Sequence, residues 1–398
     1  MDKKAKEQKI IEVLTRGVEN IYPSKSALEK VLKSDKKLKL YNGIDPTGPT
    51  LHLGHSVQMI KLKQFQDLGH KVIVLIGDFT AQIGDPTDKL STRKQLTHKQ
   101  VMENCANYKN QIGKILDLNK IEFKYNSKWL NSLSIEDTLK ISSNFTAQQT
   151  LARDMFKKRM QAGKDLFLNE FLYPMMQAYD SVHMDVDLEI GGNDQMFNMM
   201  AGRTLMKKMK KKEKYVLTTK LLVDPTGKKM GKTEGNLVGL DEKPADMYGK
   251  VMSWPDELIV IGFEILTICP MPEVIQIKTD LKAGKNPKIL KMLLAYKIVE
   301  MYHGTTEAIS AEEGFKTVFE EKLNPDDIKK IKINSKNIVD ILVQTKLASS
   351  KTEARRLLKQ GGIKVDQKVI KDENYHIENI DKDGVVIQKG KRHFVKII

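Results

Sequence analysis

Apolar positions recur at helical spacing over residues 4–21, where Ile10, Ile11, Val13, Leu14, Val18 and Ile21 predict a surface helix with one buried stripe. Leu38–Ile44 predicts a short strand. His52–Leu68 predicts a helix with Val57, Ile60 and Phe65 inward, Lys61 and Lys63 outward, and Gly69 as its stop. Val72–Ile76 is a continuous apolar run, the pattern of a strand covered on both faces of a parallel sheet. A helix over 95–116, strands over 121–125 and 186–190, and a helix over 194–209 follow. This alternation from residue 38 to about 222 predicts an α/β fold, a doubly wound parallel sheet of the Rossmann type.

Beyond Thr233 the strand signals fade, and residues 244–320 carry helical patterns such as Ile289–Met301 after Pro287. Residues 321–336 are polar, with Asn324-Pro325-Asp326-Asp327 and repeated lysines, and read as a linker. In the tail, Ser349 or Ser350 can cap a helix running to Gln360, Gly361-Gly362 stops it, and short strands follow at 363–365, 385–388 and 393–397. The expected domains are therefore 1–233, a Rossmann-type domain; 234–320, a helical domain; 321–336, a linker; and 337–398, a small α+β module.

Charge adds a partner class. The 398 residues carry a formal charge of +16, which favours a polyanion such as nucleic acid, although a general lysine bias gives the same number. Residues 335–398 alone hold 14 Lys and Arg against 8 Asp and Glu. Cys105 and Cys269 form no CxxC pair, so no zinc site or disulfide framework is expected, and a reducing, cytoplasmic setting fits. No signal-like apolar stretch follows the charged start of the chain. The most apolar segment, Leu258–Cys269, is short and carries Glu264, so no membrane span is expected.

Three segments carry the chemistry. Tyr41-Asn42-Gly43-Ile44-Asp45-Pro46-Thr47-Gly48-Pro49-Thr50 is a strand running into a Pro/Gly/Thr turn, and His52-Leu53-Gly54-His55 opens the next helix. Amides and dipole at a helix N-terminus favour anions, two imidazoles three residues apart share a face, and Gly54 lets a flat group approach the backbone. That is a place to hold a triphosphate. Far along the chain lies Lys229-Met230-Gly231-Lys232-Thr233. The third segment sets Tyr173, Gln177 and Asp180 on one helical face and leads to Ile190-Gly191-Gly192-Asn193-Asp194-Gln195.

These pieces resemble the class I aminoacyl-tRNA synthetases, with His52–His55 similar to their HIGH signature and Lys229–Thr233 to their KMSKS loop, Gly and Thr replacing the serines. With Tyr41 and the third segment, the chain is similar to the tyrosyl-tRNA synthetases of the bacterial type. The resemblance implies a ligase that activates L-tyrosine with ATP and passes it to the 3′ end of tRNA(Tyr). It implies Tyr41 and Asp180 on the phenolic hydroxyl, and Asp85, Tyr173 and Gln177 on the ammonium. Gln195 would lie near the reacting carboxylate. Asp45, Gly54, Gly192 and Asp194 would meet ATP, Gly192 and Asp194 at its ribose. Thr47, His52 and His55 would touch the triphosphate, and Lys89, Arg93, Lys229 and Lys232 the departing pyrophosphate. Mg²⁺ is expected on the phosphates, and a homodimer by resemblance only. Asn42 and Met196-Phe197 depart from the family's usual Cys and Trp-Gly without removing a polar contact in this set.

The tail resembles a small RNA-binding domain shared with a small-subunit ribosomal protein, on the strength of Leu347–Val365. Lys351, Arg355, Arg356 and Lys359 on its helix suit phosphates of structured RNA. Lys207–Lys214, with six lysines, reads first as a solvated helix end and second as a contact for the tRNA acceptor stem. A tryptophanyl-tRNA synthetase would have no use for the Tyr41/Asp180 pair, and a non-catalytic RNA-binding paralogue would be expected to have lost His55, Lys229 or Asp180.

Overall fold

The computed structural model describes residues 3–87, 96–223, 237–319, 328, 330–333, 335–378, 380, 384–390 and 393–398, without the side chains of 318 and 319. The chain divides into two compact units, residues 1–243 with 250–304, and residues 244–249 with 305–398.

The first unit is built on a six-stranded sheet: β1 (Val18–Tyr22), β2 (Lys39–Ile44), β3 (Lys71–Ile76), β4 (Ile121–Tyr125), β5 (Leu188–Gly192) and β6 (Tyr215–Thr219), in the order β1-β6-β5-β2-β3-β4. Every pair is parallel except β1 with β6. From β2 the chain steps outward through β3 to β4. It then returns to the other side of β2 to lay down β5 and β6. The order thus reverses between β2 and β5, and the crevice beyond the C-terminal ends of those strands is where such sheets bind ligands. The β3 run is buried from Val72 to Ile76, as a strand covered on both faces must be. Beyond the sheet, residues Leu258–Leu266, Met271–Lys282 and Pro287–His303 are helices, as the patterning after 244 predicts, but they belong to the same compact unit as the sheet, where a separate helical domain over 234–320 is expected from the sequence.

Several local expectations change. The first helix ends at Val13, and Val18–Tyr22, expected within it, is strand β1. Gly17, at φ +61°, turns the chain between the two, and the apolar residues beyond it pair with β6 instead. Lys61, expected outward, is buried at 3% exposure, its ammonium donating to the carbonyls of Val13 and Arg16 and to Gln64. Burial lowers its pKa to about 7. The expected helix over 95–116 is two helices, His98–Cys105 and Tyr108–Gly113.

His70 closes the foot of the sheet. Its Nδ1 accepts the Leu38 amide at 3.2 Å, and burial lowers its pKa from 6.5 to about 4. The unfolded chain therefore binds more protons than the folded one between those values, and His70 contributes stability that is lost as pH falls through them. His70→Gln should flatten the fall of melting temperature from pH 6.5 to pH 4; an unchanged slope would show that His70 contributes none of it.

The second unit holds helices Thr305–Phe319, Ile338–Gln344 and Lys351–Lys359 and a sheet of β7 (Lys330–Ile331), β8 (Ile363–Val365), β9 (Lys368–Ile370), β10 (Val385–Lys389) and β11 (His393–Ile397), ordered β7-β11-β10-β8-β9. β7 lies in the stretch read as linker, and residues 320–327 are outside the described residues. Ser350 caps the Lys351–Lys359 helix by accepting the Glu353 amide. That helix buries Ala354 and Leu358 and leaves Lys351, Arg355, Arg356 and Lys359 exposed. Among the described residues no helix is long and apolar enough to cross a membrane.

Candidate active site

A cavity of about 460 Å³ opens at the reversal between β2 and β5. It collects Tyr41 from β2, Asp45 and Thr47 from the turn after it, and His52, Gly54 and His55 from the next helix start. Asp85 comes from the loop after β3, Tyr173, Gln177 and Asp180 from the Leu168–Met184 helix, Gly192 from the end of β5, and Asp194 and Gln195 just beyond it. All the substrate- and nucleotide-contacting residues expected from the sequence that lie among the described residues line this one cavity. Lys89, Arg93, Lys229 and Lys232 lie outside the described residues.

His52 is the N-cap of the Leu53–Asp67 helix, in extended conformation, rather than its first residue. Its Nδ1 accepts the Gly54 amide at 3.1 Å, and His55 Nδ1 accepts the His52 amide at 3.2 Å. Both Nδ1 atoms being acceptors, the proton of each neutral ring lies on Nε2, which is a donor. The rings lie 3.9 Å apart. The flat group against Gly54 is His52 itself, whose ring would come within 2.9 Å of a Cβ there.

At the opposite end, Tyr41 and Asp180 are both buried. Asp180 accepts from Trp129 Nε1 at 2.8 Å and from Asn126 Nδ2 at 3.2 Å. Burial pushes its pKa well above the usual carboxylate range, while the Asn126 and Trp129 hydrogen bonds pull the other way. Burial also raises the Tyr41 hydroxyl well above its ordinary value, so it remains a proton donor.

The middle of the cavity is tied together by carboxylates. Tyr173 donates to Asp45 Oδ2 at 2.9 Å, and Thr80 to Asp45 Oδ1 at 2.8 Å. Thr80 Oγ1 accepts in turn from Asn126, so one chain of hydrogen bonds runs from Tyr173 to Asp180. Asp45, expected on the ATP side, thus also orients Tyr173. Gln195 donates to Asp85 Oδ2 at 2.7 Å, and Thr87 binds the other Asp85 oxygen through its amide and hydroxyl. A Cβ at Gly192 would lie 2.5 Å from Asp194 Oδ1, so only glycine leaves that carboxylate in place.

Sequence reasoning missed Asn126, Trp129, Thr80, Ser181, Glu189 and Lys214. The last of these corrects the reading of Lys207–Lys214 as a solvated helix end. Lys214 is fully buried and bonded to Ser181 and Glu189, because it enters β6 beside β5 rather than ending a helix. Lys212 pairs with Asp185 and Asp187, and Lys208 donates to the Asn144 carbonyl.

Residues 33–320 match the family of tRNA synthetases class I (W and Y), and residues 320–397 the tyrosine–tRNA ligase SYY-like C-terminal domain. Tyrosine–tRNA ligase 2 of Clostridium acetobutylicum is 42% identical over 394 residues, spanning 98% of both chains. Tyrosine–tRNA ligase of Haemophilus ducreyi is 43% identical over 390 residues, again 98% of both. Among solved structures, a C-terminally truncated mitochondrial tyrosyl-tRNA synthetase of Aspergillus nidulans superposes with a TM-score of 0.66 at 22% identity, over 79% of this chain and 99% of that one. The Archaeoglobus fulgidus tyrosyl-tRNA synthetase complexed with L-tyrosine gives 0.61 at 22% identity, over 77% and 99%. At that identity the two structures speak for the fold. The sequence relatives speak for more: the chain belongs to the bacterial-type tyrosine–tRNA ligases, class I synthetases that turn L-tyrosine and ATP into tyrosyl-adenylate and pyrophosphate and then transfer the tyrosine to tRNA.

Proposed function

We propose that the β2/β5 cavity is where this activation takes place, with the substrate phenol held by Tyr41 and Asp180 and the triphosphate beside His52 and His55. The observation that carries the reading is that these four groups, drawn from both ends of the first 200 residues or so, line one cavity. Tyr41 donates to the phenolic oxygen and Asp180 accepts its proton, so a phenyl ring in their place leaves two buried polar groups without partners. Asp85, Tyr173 and Gln177 take the ammonium, and Gln195 lies by the reacting carboxylate. Asp45, Gly54, Gly192 and Asp194 line the nucleotide, with Asp194 on a ribose hydroxyl. The tyrosine carboxylate attacks the α-phosphorus in line, the bond to the bridging oxygen breaks, and pyrophosphate leaves with its electron pair.

The protein's share is position and positive charge. Thr47, His52 and His55 hold the phosphates, and Lys89, Arg93, Lys229 and Lys232 tighten on the leaving pyrophosphate in the transition state. Mg²⁺ would travel on the phosphates. Exchange of labelled pyrophosphate into ATP tests the assignment. It should depend on tyrosine and be negligible with phenylalanine or tryptophan; tryptophan-dependent exchange, or none with any amino acid, would overturn it.

We infer a division of labour along the chain, with 1–233 performing activation, 234–320 facing the anticodon side of tRNA(Tyr), 321–336 linking, and 337–398 binding RNA. The exposed Lys351, Arg355, Arg356 and Lys359 support the last of these. Deleting 337–398 should leave tyrosine-dependent exchange within about twofold and lower tRNA charging by about tenfold or more, since phosphate contacts supply much of RNA affinity. Equal loss of both steps would contradict the division. A homodimer is the assembly we propose. Ile135 and Leu139, 82% and 63% exposed, and Phe167 and Leu168, 47% and 84%, lie on packed neighbouring elements and would be covered by a second copy. A cytoplasmic setting accords with the tRNA substrate.

A further inference from the structure

At the cavity wall Glu189 forms a charged pair that the reaction does not use. Lys214 is fully buried, and its ammonium donates to Glu189 Oε2 and to Ser181 Oγ, the latter at 2.8 Å. Glu189 and Ser181 are also buried. Such a pair costs desolvation on both partners, and stability alone rarely calls for it. Its other contacts lead to the substrate side. Ser181 Oγ exchanges a 2.9 Å hydrogen bond with Tyr41 Oη. The Lys214 ammonium lies 5.9 Å from the centroid of the Tyr41 ring. Tyr41 and Glu189 are register partners on β2 and β5, which fixes this arrangement in the sheet itself.

Glu189 Oε1 receives the Gln177 amide nitrogen at 3.1 Å. A carboxylate paired with an ammonium can only accept, so this bond fixes which way the Gln177 amide faces. Its carbonyl oxygen is then turned away, buried and without a partner among the described residues. A buried acceptor left open in this way calls for a donor, and a substrate ammonium is one. Space is reserved for the pair as well. A Cβ at Gly202, on the Met196–Lys210 helix behind the sheet, would come within 2.4 Å of the Lys214 nitrogen and 3.0 Å of Ser181 Oγ.

We propose that Lys214, Glu189 and Ser181 form a positioning hub for the amino-acid substrate, holding the Tyr41 hydroxyl through Ser181 and turning the Gln177 carbonyl toward the ammonium through Glu189. This rests on the assignment of the cavity to tyrosine. The hub acts on substrate binding at both ends of the tyrosine and does not touch the phosphates.

Two variants of the full chain test it in tyrosine-dependent pyrophosphate exchange. Ser181→Ala removes the link to Tyr41. The double variant K214M/E189L replaces both charges by apolar side chains of similar size, which spares the fold the unpaired buried charge that either single change would leave. In each, KM for tyrosine should rise about tenfold, the worth of one lost oriented hydrogen bond, with KM for ATP and kcat within about twofold. Ser181→Ala should also narrow the preference for tyrosine over phenylalanine. Folded variants with unchanged tyrosine KM, or with loss confined to kcat, would overturn the hub. If K214M/E189L does not fold, Ser181→Ala decides by the same criterion. Absence of tyrosine-dependent exchange in the unsubstituted chain would instead overturn the assignment of the cavity.

Discussion

Asparagine in place of Asp180 is expected to lower kcat/KM for tyrosine activation by about two to three orders of magnitude, from the loss of charge-assisted hydrogen bonds worth about 1.5–3 kcal/mol each. Ionised, the form that the Asn126 and Trp129 hydrogen bonds favour against burial, the carboxylate has two oxygens and no proton to place. One takes Trp129 Nε1 and the other Asn126 Nδ2, and the side chain lines the cavity. An asparagine offers one oxygen and one NH₂, so whichever way it turns, a buried N–H meets another N–H. The phenolic proton loses its acceptor in the same step. Initial rates of pyrophosphate exchange against tyrosine concentration, at saturating ATP, give the ratio. A loss smaller than about tenfold would mean that Asp180 does not receive the phenol.

The second large effect belongs to the other end of the cavity. His55→Ala should lower kcat for adenylate formation by about 10²–10³, the usual result of removing one preorganised donor from a site where charge develops. KM for tyrosine should stay within about twofold, because the ring does not reach the amino-acid end. The direction of the hydrogen bonds is what makes His55 a donor: its Nδ1 accepts the His52 amide, so the proton of the neutral ring is on Nε2. The same substitution removes half of a capping box, so about 1 kcal/mol of stability should go with it. His55→Gln, which can still accept the His52 amide, should restore the melting temperature more fully than the rate. Equal recovery of both would assign His55 to capping alone.

How much of this could be read from the sequence depended on whether the signal was local. The β3 run and the Leu53–Asp67 helix announce themselves because burial on both faces, or on one stripe, writes a period into consecutive residues. Tyr173, Gln177 and Asp180 were legible for the same reason, since helical spacing alone puts them on one side. Asn126 and Trp129 were not. Each is a single polar or aromatic residue in a short segment, and only the place of β4 in the sheet, with β2 and β3 between it and β5, brings them to Asp180. Lys61 and Lys214 misled because a lysine in a basic chain is normally solvated, whereas here backbone carbonyls or a buried carboxylate receive the ammonium. Glu189 carried a faint signal: Val186-Asp187-Leu188-Glu189-Ile190 alternates, and in a sheet expected to be covered on both faces a carboxylate on the second face invites a buried partner. Ser181 could have been suspected from its place beside Asp180, but its bond to Tyr41 depends on which strand lies next to which.

The central claim is that one phenolic oxygen is shared between the hydroxyl of Tyr41 and the carboxylate of Asp180, with the adenylate reaching from there toward His52 and His55. A crystal structure of the full chain with a non-hydrolysable tyrosyl-adenylate mimic measures this directly. The phenolic oxygen should lie at about 2.5–3.0 Å from both Tyr41 Oη and an Asp180 oxygen, with the phosphate mimic on the imidazole side. A ligand whose phenol rests elsewhere in the cavity, or whose phosphate lies away from both histidines, would contradict it.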